Sequence, residues 1–529
     1  MTDVRILVSD KLSEAGLATL REAGFAVDYR PGLSENELAA SIGPYDALVI
    51  RSGSKVTGRV LERADALRVI GRAGIGVDNV DVAAASRRGI VVMNTPLGNV
   101  VTTAEHTLAL LLAAARRIPQ ATASMRAGKW EKNRFEGREL CGKTLGIVGL
   151  GNVGRAVAER ARALHMKVIA TDPNVGPERA AEVGAERVEL DELLARADFI
   201  TLHVAGAAST RGLIDARAFA RMKRGVVLVN ASRGGVVDEQ ALLDALEQGI
   251  VEAAALDVFE TEPPPADHPL LRHERVVLTP HLGASTVEAQ ERVAVEICEQ
   301  VVAFLRDGTV RNAVNVPALG PEASRIAASY GPLARRLGAL LAQLDPSEAR
   351  ELRVECAGET AEATAALAAE ALAGYLSRRL GEEINALRAP FEARARNLPL
   401  VESREPRAVG WVGTVRVTLS GARHLHTVTG TRSPSGEPRL VGLDGYHIDA
   451  LLRGQALLLE NRDRPGVIGA VGTILGRRGI NVSRMQVGLD ESTRQAVSLW
   501  NVDSTVPQDA LAEIGGLPDV SSARLVDLG

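Results

Sequence analysis

The chain opens as short apolar runs alternating with amphipathic stretches. Strand-like runs fall at 4–8, 46–51, 68–70 and 90–94, and the helical segments between them close at glycines such as Gly24 and Gly89. Strands that alternate with helices pair in parallel, so this pattern predicts an open α/β sheet. From 100 to about 128 the apolar positions recur at helical spacing, which predicts one long helix. A second α/β series begins at Lys143 and runs to about Pro280, followed by a helix over about 284–308 that Gly308 ends.

Residues 312–317 read as a linker, and beyond them the pattern changes. Ala- and Leu-rich helices cover about 325–385, broken by a strand at 352–356, and strands cover about 408–452 with a hairpin loop at 431–436. The end of the chain runs strand–helix–strand–strand–helix–strand, at 456–460, 466–478, 480–488, 495–502, 507–514 and 522–526. That order is the ferredoxin-like pattern of two split βαβ units.

A chain of 529 residues is too long for one hydrophobic core, so roughly three or four domains are expected. With 46% hydrophobic and 24% charged residues and a formal net charge of -4, it has the balance of an ordinary globular protein. No global basic field exists to attract nucleic acid, which is not expected as a partner. Cys141, Cys298 and Cys356 lie far apart without CxxC spacing, which argues against a disulfide framework or a structural metal site. The most apolar helical stretch, 107–115, is too short to cross a bilayer, and residues 4–10 enter a strand-like run without a charged-then-apolar leader. No membrane partner and a reducing cytoplasm are the expectation.

Candidate chemistry begins at 145–155, where Gly149, Gly151 and Gly154 form GxGxxG between an apolar strand and a helix. The first glycine permits a tight turn, the second lets backbone approach a pyrophosphate, and the third allows close helix–strand packing. The helix N-terminus then offers free N–H groups to the phosphates. A second apolar strand at 167–171 ends in Asp172, about 20 residues on, where an acid binds the adenosine ribose hydroxyls. Asp172 would repel a 2′-phosphate and is followed by Pro173 rather than arginine, so NAD is favoured over NADP.

Three residues beyond later strand ends complete a constellation. Arg233 follows the apolar strand that ends at Asn230, and a guanidinium there suits bidentate capture of a carboxylate. Glu262 lies in a proline-stiffened loop after the strand at 255–258, and His281 follows the strand ending at Thr279. Oxidising an alcohol needs a base for the hydroxyl proton, and a carboxylate partner would fix the histidine's tautomer and stabilise its charged form. Singly, each reads as well as a salt bridge, a loop acid or a helix cap; together, downstream of a dinucleotide motif, they point to chemistry. His203 follows another strand and reads at least as well as packing, and His106, His424 and His426 read as structural.

The glycine turn, Asp172, Asn230-Ala231-Ser232-Arg233-Gly234, Glu262-Pro263-Pro264 and Thr279-Pro280-His281 together resemble the D-isomer-specific 2-hydroxyacid dehydrogenases over about residues 1–317. Three further stretches, 49–52, 71–81 and 94–99, are similar to the long-form branch that takes 3-phospho-D-glycerate. The resemblance implies a substrate-binding domain of residues 1–98 and 285–317 and an NAD-binding Rossmann domain of 99–284. It implies Arg233 on the substrate carboxylate, His281 as proton acceptor and donor, and Glu262 bonded to His281. Cofactor contacts would come from Gly149, Gly151, Asn152, Val153, Gly154, Asp172, Ser232, Asp257 and Gly283. Arg51, Ser52, Arg72, Gly74 and Asn99 would hold the substrate, with Arg134 reaching in from another subunit of a homotetramer. One departure concerns the adenine pocket: Val204-Ala205-Gly206 follows His203 where the family often has a Thr-Pro pair.

The tail, through 458–468 and 479–483, resembles the ACT domain, a small amino-acid-sensing module, here covering 454–529. By that resemblance the effector is L-serine, held by Asn461, Asp463 and Asn481 near a helix N-terminus. Residues 318–453 resemble the α+β intervening domain of the same branch. The expected fold is therefore two Rossmann-like or flavodoxin-like parallel-sheet domains, an α+β intervening domain and a ferredoxin-like ACT domain. The expected activity is oxidation of 3-phosphoglycerate with NAD, at the entry to serine synthesis. Two alternatives stay open: a dehydrogenase of another D-2-hydroxy acid, or an NAD-sensing binding protein of the same fold.

Overall fold

The computed structural model describes residues 4–317, 319–421 and 424–529; residue 318, where the expected third domain begins, lies outside them, as do 1–3. The described residues form two compact units, one of residues up to Asp81 with Val92–Asn312, the other of Val82–Val91 with Ala313–Gly529.

The first unit is built on two sheets. Strands β1 (Arg5–Val8), β2 (Ala26–Tyr29), β3 (Ala47–Ile50), β4 (Val69–Arg72) and β5 (Val91–Met93) lie in the order β2-β1-β3-β4-β5. This is the flavodoxin-like arrangement. The second sheet holds β6 (Thr144–Val148), β7 (Lys167–Thr171), β8 (Glu186–Arg187), β9 (Phe199–Leu202), β10 (Val226–Asn230), β11 (Val251–Leu256) and β12 (Val276–Leu278). Its order is β12-β11-β10-β9-β6-β7-β8, with every pair parallel. The chain reverses its direction of growth between β6 and β9, and the crevice beyond the strand carboxyl ends at such a switch point is where a ligand sits. β9 and β10 are buried at every residue, as strands covered on both faces must be, which is why they read as unbroken apolar runs. The helix Val287–Asp307, capped by the Thr286 side chain and ended by Gly308 at φ 75, returns to the first sheet and lays Ile297 and Val301 against Gly71.

Where expectation and structure differ, local stereochemistry explains it. The single helix expected over 100–128 is two, Val100–Arg116 and Ile118–Arg126, with Arg117 between them at φ 52. Pro119 has no N–H to offer and its ring would strike the carbonyl four residues earlier, so the first helix stops before it. β2 and the two-residue β8 escape the apolar pattern because each is an edge strand with no fully buried residue.

The second unit carries a six-stranded sheet of β13 (Ala349–Gly358), β14 (Leu400–Glu405), β15 (Gly413–Gly421), β16 (Leu425–Arg432), β17 (Pro438–Leu443) and β18 (Tyr446–Leu451). Its order is β14-β13-β15-β16-β17-β18, and the helices Pro321–Leu344 and Thr364–Leu380 share its core. The tail forms β19 (Gln455–Arg462), β20 (Val482–Asp490), β21 (Gln495–Val502) and β22 (Val520–Asp527) in the antiparallel order β20-β21-β19-β22, with helices Val467–Arg477 and Gln508–Gly515. That is the ferredoxin-like module expected from the pattern. Within this unit Asn315 donates to Ser86 Oγ and Ile90 O, and Asn385 to Gly89 O, which ties Val82–Val91 to it.

Candidate active site

The glycine turn leaves β6 and enters the helix Asn152–Ala163, whose first turn is Asn152 and Val153. Gly149 stands at φ 94, a conformation that favours glycine. A Cβ on Gly154 would run into the carbonyl oxygen of Gly149, whereas one on Gly151 would meet nothing within 4 Å. The two positions therefore differ in kind: Gly154 is required by packing, and Gly151 borders open space at a helix N-terminus. That space suits the close approach of a pyrophosphate. Asp172, at the end of β7, accepts Leu150 N and Asn174 N, each at 2.8 Å, which fixes its half-exposed carboxylate beside the turn. The residues present thus fit a dinucleotide with free ribose hydroxyls. His203 is half-buried, bonded to Thr201 Oγ1 at 3.0 Å and pushed down to about 4 by burial, so it packs as a neutral group.

Arg233, Glu262 and His281 stand at the carboxyl ends of β10, β11 and β12, as expected for a ligand crevice. His281 Nδ1 lies 2.7 Å from Glu262 Oε2. That bond raises the His281 pKa against the opposing pull of burial. Burial would lift Glu262, yet the hydrogen bond and charge of His281 and the Phe259 N–H hold it below its ordinary value. Both shifts favour the same state, imidazolium beside carboxylate. An ionised carboxylate only accepts, so Nδ1 carries the proton and Nε2 of neutral His281 is left as the basic nitrogen.

A second carboxylate braces this histidine. Asp257 is 1% exposed; its Oδ1 accepts Leu282 N at 2.7 Å and Thr279 Oγ1 at 2.6 Å, and its Oδ2 accepts Gly283 N at 2.8 Å. Its backbone carbonyl accepts His281 N at 2.8 Å. His106 Nε2 adds a bond to Oδ1 at 3.1 Å. Burial alone would raise Asp257, but these donors hold it below its ordinary value. His281 itself stands at φ 54, and this set of bonds holds it there. The bonds of Asp257, expected with Ser232 and Gly283 as a cofactor contact, go to the His281 turn, which it braces. His106, which read as structural in sequence, belongs to the same network.

Arg233 is oriented by two contacts. Asp78 Oδ2 accepts from its Nε at 2.9 Å and is ion-paired with Nη2 at 2.8 Å, and Nη1 donates to Ser232 O at 2.7 Å. Asn230 sets the turn by accepting Ser232 N and Oγ and donating to Arg233 O. The glycine loop after β4 runs against these side chains: a Cβ on Gly76 would overlap Nη2 of Arg233, and one on Gly74 would overlap Nη1 of Arg72. Arg72 is pushed down to about 10, chiefly by burial and then by the charges of Arg233 and Arg51, and its Nε has no partner among the described residues. Arg51 is held from below by Asp10, whose Oδ2 accepts Arg51 N and Ser54 N. Arg51, Arg72 and Arg233 therefore stand close together, and Asp78 meets only part of their demand for negative charge.

Other expected contacts are placed differently. Asn99 is buried at the N-cap of the helix Val100–Arg116, its Oδ1 without a partner among the described residues. Ser52 is exposed. Arg134 pairs with Glu131 and Glu274 of its own chain, and no bond joins it to the arginine cluster. Asp78 was missed in sequence, though it lies within the glycine-rich stretch after β4. In the tail, Asp463 Oδ2 pairs with Arg494 at 2.6 Å, Asn461 donates to Arg462 O, and Asn481 N donates to Asp503 Oδ1. No bond links those three among the described residues.

The chain is similar to known proteins over all of its length. Residues 108–283 match the model of the D-isomer specific 2-hydroxyacid dehydrogenase NAD binding domain, 327–444 the D-3-phosphoglycerate dehydrogenase intervening domain, and 456–519 the ACT domain. The chain is 40% identical to D-3-phosphoglycerate dehydrogenase of Synechocystis over 100% of its length and 95% of the relative's. It is 41% identical to that of Methanocaldococcus jannaschii, over 99% and 100%. A solved D-lactate dehydrogenase from Aquifex aeolicus, complexed with NAD and lactic acid, is similar at a TM-score of 0.54 and 27% identity, over 59% of this chain and 100% of that one.

Proposed function

The chain belongs to the D-3-phosphoglycerate dehydrogenases of the D-isomer specific 2-hydroxyacid dehydrogenase family, and we propose that it oxidises 3-phospho-D-glycerate to 3-phosphohydroxypyruvate with NAD. The observation that carries the substrate is the arginine cluster: Arg51, Arg72 and Arg233 crowd together, with Arg72 driven well below its ordinary value by burial and by its cationic neighbours. A substrate bearing both carboxylate and phosphate answers that demand; an unphosphorylated 2-hydroxy acid answers only part of it.

In this reading Arg233 takes the carboxylate and Arg51 and Arg72 the phosphate, with Gly74 and Ser52 alongside. Neutral His281 accepts the C2 hydroxyl proton at Nε2, while Glu262 holds Nδ1–H and stabilises the imidazolium that forms. Asp257 and His106 keep the His281 turn in place. NAD, when bound on Gly149, Gly151 and Asp172, supplies the hydride acceptor. In the reverse direction His281 returns the proton to the ketone oxygen.

The same reading assigns residues 1–98 with 285–317 to substrate, 99–284 to NAD, 318–453 to the intervening domain and 454–529 to the sensor. L-serine is the proposed effector at the ACT module, through Asn461, Asp463 and Asn481. A homotetramer is proposed, with Arg134 acting across subunits, and a cytoplasmic setting in which the free thiols Cys141, Cys298 and Cys356 stay reduced.

The test is NADH formation from 3-phosphoglycerate and NAD at alkaline pH, with and without L-serine. Turnover that serine suppresses supports the whole reading. Turnover indifferent to serine removes the effector and keeps the enzyme. Bound NAD without turnover of 3-phosphoglycerate overturns the substrate.

A further inference from the structure

We propose that Asp78 is a positioning residue that selects which edge of Arg233 meets the substrate carboxylate. The inference rests on the proposed role of Arg233. A guanidinium presents five N–H groups along three directions. Nε and Nη2 share one side, and both lie within hydrogen-bond distance of a single oxygen, Asp78 Oδ2, at 2.9 and 2.8 Å. On the opposite side Nη1 donates to Ser232 O at 2.7 Å. With both flanks held, the end-on edge formed by Nη1 and Nη2 remains, carrying two parallel N–H groups at the spacing of a carboxylate's oxygens.

The clamp is rigid because its parts are backed by backbone. The carbonyl of Ser232 belongs to the turn that Asn230 ties together, and Asp78 follows the glycine loop whose backbone lies against the same guanidinium. Gly206 packs close to the pair: a Cβ there would sit 3.1 Å from Asp78 Oδ1 and 3.3 Å from Arg233 Cγ. A freely rotating arginine would offer its carboxylate partner several approaches. This one offers one edge, and so one placement of C2 relative to His281. The carboxylate of Asp78 also offsets part of the positive charge that Arg51, Arg72 and Arg233 bring together.

The test compares Asp78→Ala and Asp78→Asn with the unaltered chain, using two probes. One is steady-state oxidation of 3-phosphoglycerate. The other is oxamate, a carboxylate without phosphate, titrated into the NADH complex by nicotinamide fluorescence. The clamp predicts about a tenfold weaker oxamate affinity and about a tenfold higher KM in Asp78→Ala, by matching factors, with NADH affinity and unfolding temperature unchanged. Asp78→Asn, whose amide oxygen still accepts from Nε, is expected to recover part of the loss. Tighter oxamate binding in Asp78→Asn would make Asp78 a competing anion and overturn the clamp. A loss confined to 3-phosphoglycerate would place its action on Arg72 and overturn it too, as would no change with either probe. If the unaltered chain binds oxamate but does not oxidise 3-phosphoglycerate, the substrate reading fails while the oxamate series still decides the role of Asp78.

Discussion

Gly151 and Gly154 belong to one short motif, yet the structure gives them opposite sensitivities, and the pair of substitutions Gly154→Ala and Gly151→Ala separates them. At Gly154 the added methyl would penetrate the carbonyl oxygen of Gly149, closer than real Cβ contacts come, and would crowd the Ile147 side chain behind it. Neither neighbour can swing away: one is backbone in a turn at φ 94 and the other is fully buried. Overpacking of this kind costs about 1–3 kcal/mol or more. In a unit of this size 1 kcal/mol lowers Tm by about 2–4 °C, so a drop of roughly 2–12 °C is expected. At Gly151 the backbone stands at φ -71 and ψ -163, open to any residue, and the methyl meets nothing. Stability there should change by no more than about 0.5 kcal/mol. The methyl would instead occupy the space where a pyrophosphate approaches the helix N-terminus, and NADH affinity should fall by about tenfold or more. Thermal unfolding and NADH fluorescence titration on the same samples read both quantities. Full NADH affinity in Gly151→Ala, or an unshifted Tm in Gly154→Ala, would refute the division of roles.

Glu262→Gln removes the charge that favours the imidazolium form of His281. Oxidation requires neutral His281, so the rise of kcat/KM with pH should begin at lower pH than in the unaltered chain, with kcat reduced because the ring loses its ionic anchor. An acid limb that stays where it was would remove Glu262 from the mechanism. Arg72→Ala should raise KM for 3-phosphoglycerate by about tenfold or more and barely change it for unphosphorylated 2-hydroxy acids; equal effects on both would argue against a phosphate role. His106→Ala takes one donor from the buried Asp257 carboxylate, at about 1–3 kcal/mol, and should lower both Tm and kcat while leaving the KM for 3-phosphoglycerate near its original value. Unaltered kcat would confine His106 to packing.

Much of this architecture is legible in the sequence. The buried central strands, such as β9 and β10, are apolar without a break because helices cover both faces, and the ferredoxin-like tail keeps its element order nearly to the residue. GxGxxG, Asp172, Arg233, Glu262 and His281 were readable because each follows a strand end, where a parallel sheet opens its crevice. What escaped was local or relational. The break at Arg117 turned on Pro119 within an otherwise continuous apolar stripe, and β2 and β14 are edge strands whose half-polar faces resemble loops.

The supporting shell was the larger omission. Asp78 and Arg233 are 155 positions apart, and His106 and Asp257 are 151 apart; nothing along the chain marks either pair as partners. Periodicity and glycine punctuation are imposed by the backbone and by burial, which act over a few residues, so the sequence alone determined the elements, their order and the residue types that reach the crevice. Which carboxylate meets which cation depends on how two sheets bring their strand ends together, through bonds of less than 3.5 Å across more than a hundred residues of chain. Only the tertiary structure decided that Asp78 pairs with Arg233, that Asp257 braces the His281 turn, and that Arg134 pairs with Glu131 and Glu274.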